Sequence, residues 1–155
     1  MIIKIIDKSI REIYRLFHPM IWNKKLQING IPRIYDIRKL TIGENVSINP
    51  GIVLQCYGGL KIGNNVTISD GAKVFTRSLD INKYLTNSTK EKRDHIDQSV
   101  EIGDGVWIAA NVIVLPGVRI ASRSIIAAGA VVSQDLNEEG CLYGGIPAKM
   151  IRKLQ

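Results

Sequence analysis

The sequence predicts an all-β solenoid, and three observations carry that prediction. An aliphatic residue recurs every six positions, small residues hold fixed places between them, and the texture changes after about residue 20. The repeat is clearest from Ile102, where the chain reads IGDGVW, IAANVI, VLPGVR, IASRSI, IAAGAV. Ile102, Ile108, Val114, Ile120 and Ile126 open the units, and Val106, Val112, Val118, Ser124 and Ala130 stand fifth. A helix of 3.6 residues per turn would carry positions six apart to different faces. Short extended segments joined by tight turns return them to the same inward direction. Three units make a coil of about 18 residues, and coils stack into a solenoid. Gly103, Gly105, Ala109, Gly117, Ala121, Ala127 and Gly129 fall at corners that need a positive φ or that leave no room for a side chain.

Taken in order, the 155 residues suffice for one domain with a sizeable core. In the first 20 residues Ile2, Ile5, Ile6, Ile10, Ile13, Leu16 and Phe17 form one stripe of an amphipathic helix. Such a helix packs on the solenoid or a neighbouring subunit, or lies as a basic interfacial helix on anionic lipid. Lys4, Asp7 and Lys8 interrupt any signal-peptide core, and no apolar run has the length to span a bilayer. Pro19, Gly30 and Pro32 break helical order, which sets the expected divisions: 1–33 helix and lead-in, 34–140 solenoid, 141–155 cap.

The six-residue phase is legible from Ile42. Matching turns at Ile42 and Ile62 lie 20 apart, two more than a strict coil, so a small insertion is expected around Tyr57 to Leu60. The next match is Ile102, which leaves an excursion loop over about 77–99, polar and without period. A loop of that length ejected from a regular solenoid is functional or disordered. After Ile126 the phase weakens, Asn137 to Gly140 read as a turn, and GGIPAK with Met150, Ile151 and Leu154 reads as a cap over an otherwise unpaired last coil.

The formal charge of +7 suits an anionic ligand such as a nucleotide, an anionic membrane surface or merely solvated basic faces. Nucleic acid is the weakest reading, because no binding motif or interleaved basic and aromatic platform is present. Two cysteines far apart in sequence suggest reduced thiols, a cytoplasmic setting and no thiolate metal site. No Walker loop, GxSxG elbow or nucleotide-sugar fingerprint occurs.

The stretch Val100 to Ala130, with the closing GGIPAKMIRKL from Gly144 to Leu154, resembles the hexapeptide-repeat acyltransferases, most closely the small sugar O-acetyltransferases of the maltose, galactoside and surface-polysaccharide kind. The resemblance implies a left-handed parallel β-helix, a homotrimer and acetyl-CoA as donor. Left-handedness runs against the general rule for parallel crossovers, so it rests on the resemblance alone. The implied activity is O-acetylation of a sugar hydroxyl in polysaccharide synthesis. Acetylation of an amino sugar on a nucleotide, or a non-catalytic scaffold, are the alternatives. If the N-terminal helix lies on lipid, the enzyme works at the inner face of the membrane. The zinc-binding relatives hold their metal with three histidines, and this chain has only His18 and His95, so no metal is expected.

Acyl transfer needs a base for the hydroxyl proton, a donor for the oxyanion and a cleft for CoA. Histidine is the natural base near neutral pH. The resemblance places the family's histidine, in the loop that helps cover the active site between subunits, at Leu79, followed by Asp80. Leucine accepts no proton. Three explanations follow: His95 replaces the base, Asp80 or water suffices, or catalysis is lost. His18, in FHPM, packs or caps. For the donor the resemblance implies Trp107, Ala110, Ala128 and Ser133 along the pantetheine arm, and Lys149 and Arg152 at the phosphates, with Gln134 where the family often carries a further cation. Gln55 and Cys56 are the candidates for acceptor contact.

Overall fold

The computed structural model describes residues 26–84 and 93–155. The helix expected in the first 20 residues lies outside them, as does the middle of the excursion loop. The described chain winds into a parallel β-solenoid of about five coils whose short strands stack into three sheets. The first sheet collects β1 (Gln27–Ile28), β4 (Ser47–Ile48), β7 (Thr67–Ile68), β12 (Trp107–Ile108), β15 (Ile125–Ile126) and β17 (Cys141–Gly144). The second holds β2 (Arg33–Tyr35), β5 (Val53–Gln55), β8 (Lys73–Val74), β13 (Ile113–Val114) and β16 (Val131–Val132). The third holds β3 (Leu40–Ile42), β6 (Leu60–Ile62), β11 (Val100–Ile102) and β14 (Arg119–Ile120). No helix among the described residues is long and apolar enough to cross a membrane.

The residue that opens each hexad points inward, so Ile62, Ile102 and Ile120 stack as buried neighbours on successive coils. The fifth residues, such as Val66 and Val106, fill the corners of the same core. Between the third and first sheets the fourth residue of the hexad turns left-handed: Asn45, Asn65, Gly105 and Arg123 all have φ between 55° and 66°. Asparagine and glycine tolerate that conformation best. The corner amides are satisfied coil to coil, since the Asn64 backbone N–H donates to Asp104 Oδ1 (2.7 Å) and Asn45 Nδ2 donates to Asn65 Oδ1 (2.9 Å). A Cβ at Gly63 would stand 2.8 Å from the Asp104 nitrogen, which is why the second place of the hexad is small.

Rungs begin before the sequence phase is legible. Gln27 stacks under Ser47, and Ser47 under Thr67, giving early coils of 20 residues, whereas Trp107 stacks under Ile125 in a coil of 18. The two extra residues of each early coil sit at one corner, between the second and third sheets. The first coil forms a 3-10 turn there (Ile37–Lys39), and the second forms the turn after Cys56. The third coil ejects its excursion loop at the same corner. That loop has order the sequence did not show: β9 (Arg77–Leu79) and β10 (His95–Asp97) pair antiparallel, and a single helical turn, α1 (Ile81–Tyr84), follows β9.

The last coil is closed by β18 (Lys149–Lys153), which turns back antiparallel on β17. Tyr143, buried beneath it, donates its hydroxyl proton to the Glu138 carbonyl (2.8 Å) and accepts the Glu138 N–H (3.2 Å). Those two bonds pin the turn before the cap.

Candidate active site

The hairpin makes the central arrangement. In its register Leu79 stands directly opposite His95, and Arg77 opposite Asp97. Directly opposed residues of an antiparallel pair share a face, and positions two apart on one strand share it too. Leu79, His95, Arg77 and Asp97 therefore present to one side of the hairpin. The backbone bonds at its ends run from the Asp80 N–H to the Asp94 carbonyl and from the Gln98 N–H to the Thr76 carbonyl, both 2.9 Å. Leu79 and His95 thus form a non-hydrogen-bonded pair, the kind in which side chains come closest. The fold places an exposed imidazole across from the position where the family resemblance calls for one.

Asp80 has a structural part to play. Its Oδ1 accepts the N–H groups of Asn82 (3.0 Å) and Lys83 (3.3 Å) and so caps the turn that follows. Arg77 and Asp97 form a two-pronged ion pair, Nε to Oδ1 at 2.6 Å and Nη2 to Oδ2 at 2.8 Å. The guanidinium hydrogen bond holds the Asp97 carboxyl below its ordinary range, against a smaller opposing push from desolvation.

Gln55 faces outward from the second sheet with its Oε1 accepting the Arg77 backbone N–H (3.1 Å), one coil below the hairpin. Cys56 points into the core instead, fully buried, its thiol pushed up to about 12 by burial and by the negative charge of Asp36. It is inert, and acceptor contact through Cys56 does not fit its orientation.

The donor candidates gather elsewhere. Trp107 lies on the outer face of the first sheet, 47% exposed, its indole N–H donated to Ser69 Oγ at 3.0 Å. In register above it come Ile125, Leu142 and Arg152. Lys149 and Arg152 are three apart and would face opposite sides of a regular strand. Arg152 pairs with Leu142 and Lys149 with Gly144, leaving Ile151 as the extra residue of a β-bulge, and the bulge brings both cations to Trp107's face. Sequence reading named the pair but had no means to see this. Three strand spacings of about 4.8 Å span about 14 Å from Trp107 to Arg152, the scale of an extended ligand arm. Ala110 and Ala128 stack at the neighbouring corner, where the Gly129 N–H donates to the Ala110 carbonyl (2.9 Å). Ser133 follows β16, exposed at the end of the second sheet. Gln134 lines a shallow groove with Lys149, Asp135 and Glu138.

His95 and Leu79 therefore stand at the corner beyond the second sheet, while Trp107, Lys149 and Arg152 lie on the first sheet before it. One protomer does not bring the two sets together. Among the described residues no three His, Cys, Asp or Glu side chains converge as metal ligands.

Comparison with known proteins agrees with this architecture. The bacterial transferase hexapeptide (six repeats) family matches residues 99–134. The galactoside O-acetyltransferase of Lactococcus lactis is 30% identical over 130 residues, covering 73% of this chain and 62% of that protein. The chain spans between 44% and 64% of the length of the first curated relatives that it matches. Among solved structures, a maltose O-acetyltransferase from Clostridium difficile superposes with a TM-score of 0.75 at 27% identity, covering 85% of this chain and 68% of that one. A hexapeptide-repeat acetyltransferase from Vibrio cholerae, complexed with acetyl coenzyme A, gives 0.74 at 27% identity over 94% of this chain and 78% of that one. The six-residue period, the three-sided coil and these likenesses converge on one conclusion: the chain is a left-handed parallel β-helix that carries the bacterial transferase hexapeptide repeat over residues 99–134.

Proposed function

We propose that this chain transfers an acetyl group from acetyl-CoA to a sugar hydroxyl, as a homotrimer with each active site between two subunits. The observation that carries the reading is the pairing of His95 with Leu79, which supplies a base at the place where the aligned residue cannot act. Support for the donor comes from the bulge that aligns Lys149 and Arg152 with Trp107 on one face, and from the Vibrio cholerae relative complexed with acetyl coenzyme A. A trimer brings the first-sheet face of one subunit toward the hairpin of the next, which a single chain cannot do for itself.

In this mechanism the His95 imidazole takes the proton of the acceptor hydroxyl as its oxygen attacks the thioester carbonyl. The tetrahedral intermediate collapses, the carbon–sulfur bond breaks, and the imidazolium returns the proton to the departing thiolate. Lys149 and Arg152 hold phosphate oxygens, and Trp107 lies along the pantetheine arm. General base catalysis of this kind contributes about 100- to 10,000-fold to rate.

The test is thiol release from acetyl-CoA with methyl galactoside, methyl glucoside and maltose as acceptors, against glucosamine for the amine alternative. His95→Asn is expected to lower kcat by at least about 100-fold with acetyl-CoA binding unchanged. Near-full activity in that variant removes His95 from the mechanism. Absence of acetyl-CoA binding by calorimetry removes the transferase reading and leaves a scaffold.

A further inference from the structure

We propose that Arg77 is a positioning residue for acyl transfer: with Tyr57 and Asp97 it bolts the base of the β9–β10 hairpin to the second coil and so fixes where His95 stands. The inference rests on the reading of His95 as the base.

The hairpin cannot hold itself. It has three rungs, and every residue of β10 is exposed. An isolated two-stranded ribbon is marginal at best in water. Leu79, facing His95, has no polar atom to bond the imidazole, and the strand that carries His95 sets where its backbone stands. Beside His95, Lys83 pairs with Asp94 (3.1 Å) and the Arg93 guanidinium lies over the Tyr84 ring (4.4 Å), but these contacts tie the hairpin only to its own α1 turn, and the link to the solenoid is made at the other end. Asp97, two residues from His95 and on the same face, is gripped by both prongs of the Arg77 guanidinium. That guanidinium lies over the ring of Tyr57, 4.1 Å from its centroid. Tyr57 belongs to the solenoid: its carbonyl accepts Lys39 Nζ (2.6 Å) from the first coil, and its ring meets that of Tyr35 at 6.4 Å between centroids.

The backbone beside this stack is fixed as well. The Arg77 N–H is held by Gln55 Oε1, and buried Thr76 donates its hydroxyl to the Gln55 carbonyl (2.7 Å) while accepting the Gly58 N–H (2.9 Å). One planar cation thus joins three pieces of chain: the second-coil turn by stacking, β10 by the fork, and β9 by its own backbone. Lysine can supply the charge but neither the fork nor the stack. That difference makes the role testable apart from simple charge pairing.

The experiment compares the wild-type protein with Arg77→Lys, Arg77→Met and Tyr57→Leu, the last keeping the ion pair and removing the platform. The first readout needs no acceptor: amide hydrogen exchange at Asp80 and Gln98, whose N–H groups close the two ends of the hairpin. Exchange there is expected to rise at least tenfold in both Arg77 variants and several-fold in Tyr57→Leu, while amides of β12 and β15 in the solenoid stay unchanged. The second readout is transfer from acetyl-CoA to the best glycoside of the panel, with kcat falling at least tenfold and KM for acetyl-CoA unchanged, because the donor face lies on another sheet. Arg77→Lys matching the wild type in exchange and kcat overturns the proposal, as does faster exchange with unchanged kcat. His95→Asn separates the two readings. If His95→Asn is inactive and Arg77→Met shows wild-type exchange, the clamp alone is wrong; if His95→Asn is active, the base assignment is wrong and Arg77 positions nothing catalytic.

Discussion

At Asp97 the physical chemistry of a single carboxylate decides how the hairpin answers to pH. Its folded pKa is depressed, chiefly by the hydrogen bond from Arg77, so the ion pair stabilises the fold above the ordinary carboxylate range and the contribution is lost as pH falls through the depressed value. Exchange at Asp80 and Gln98 is therefore expected to show no change attributable to Asp97 between pH 8 and about 5, once corrected for intrinsic rates, and to rise below about pH 4. Asp97→Asn should show the acid-pH behaviour already at neutrality. Core residues answer to packing instead. Ile108 is fully buried between Ile68 and Ile126, and Ile108→Ala is expected to cost about 2–5 kcal/mol by chemical denaturation. Tyr143→Phe removes two part-buried hydrogen bonds to the Glu138 backbone and should cost about 1–3 kcal/mol.

Among the elements, β18 shows how one extra residue changes what a strand can present. Lys149 and Arg152 were legible as a basic pair in the closing segment, yet their alternation on a regular strand would have separated them. Ile151 in the bulge places both beside the Trp107 ladder. Lys149→Ala with Arg152→Ala should weaken acetyl-CoA binding by at least about tenfold, since charge-assisted bonds contribute about 1.5–3 kcal/mol each and exposure reduces that. Titration calorimetry at two salt concentrations checks it, and the loss should be smaller at high salt. Deleting Ile151 should mimic the double variant while leaving the charge intact. The excursion loop is the counterpart case: its polar composition carried no period, so its strands were invisible. Three rungs and the ion pairs Arg77–Asp97 and Lys83–Asp94 leave too little hydrophobic signal to read.

For the whole molecule the decisive matter is where the two halves of the site fall. His95 stands at one corner and the donor face on another sheet, so the proposed activity requires copies of the chain to meet. Mixing His95→Asn subunits with Lys149→Ala/Arg152→Ala subunits should restore a fraction of wild-type activity on re-assembly. Light scattering on the purified protein should give a mass of three chains. A monomer retaining activity would overturn the intersubunit site.

The sequence by itself determined the solenoid, because a buried aliphatic every six residues and a corner that tolerates only small or left-handed residues repeat in every coil and are local properties. It also marked where regularity breaks, since an insertion shifts the phase whatever its shape. It named Leu79 as the gap and His95, 16 positions on, as one candidate replacement, with no geometry to join them. Only the tertiary structure decided that they face each other, that both early insertions and the long loop leave from one corner, and that a bulge turns Lys149 and Arg152 to one side. Those outcomes depend on pairing register between distant segments, and register is set by which backbone groups meet across a gap, a quantity that no single residue or local pattern encodes.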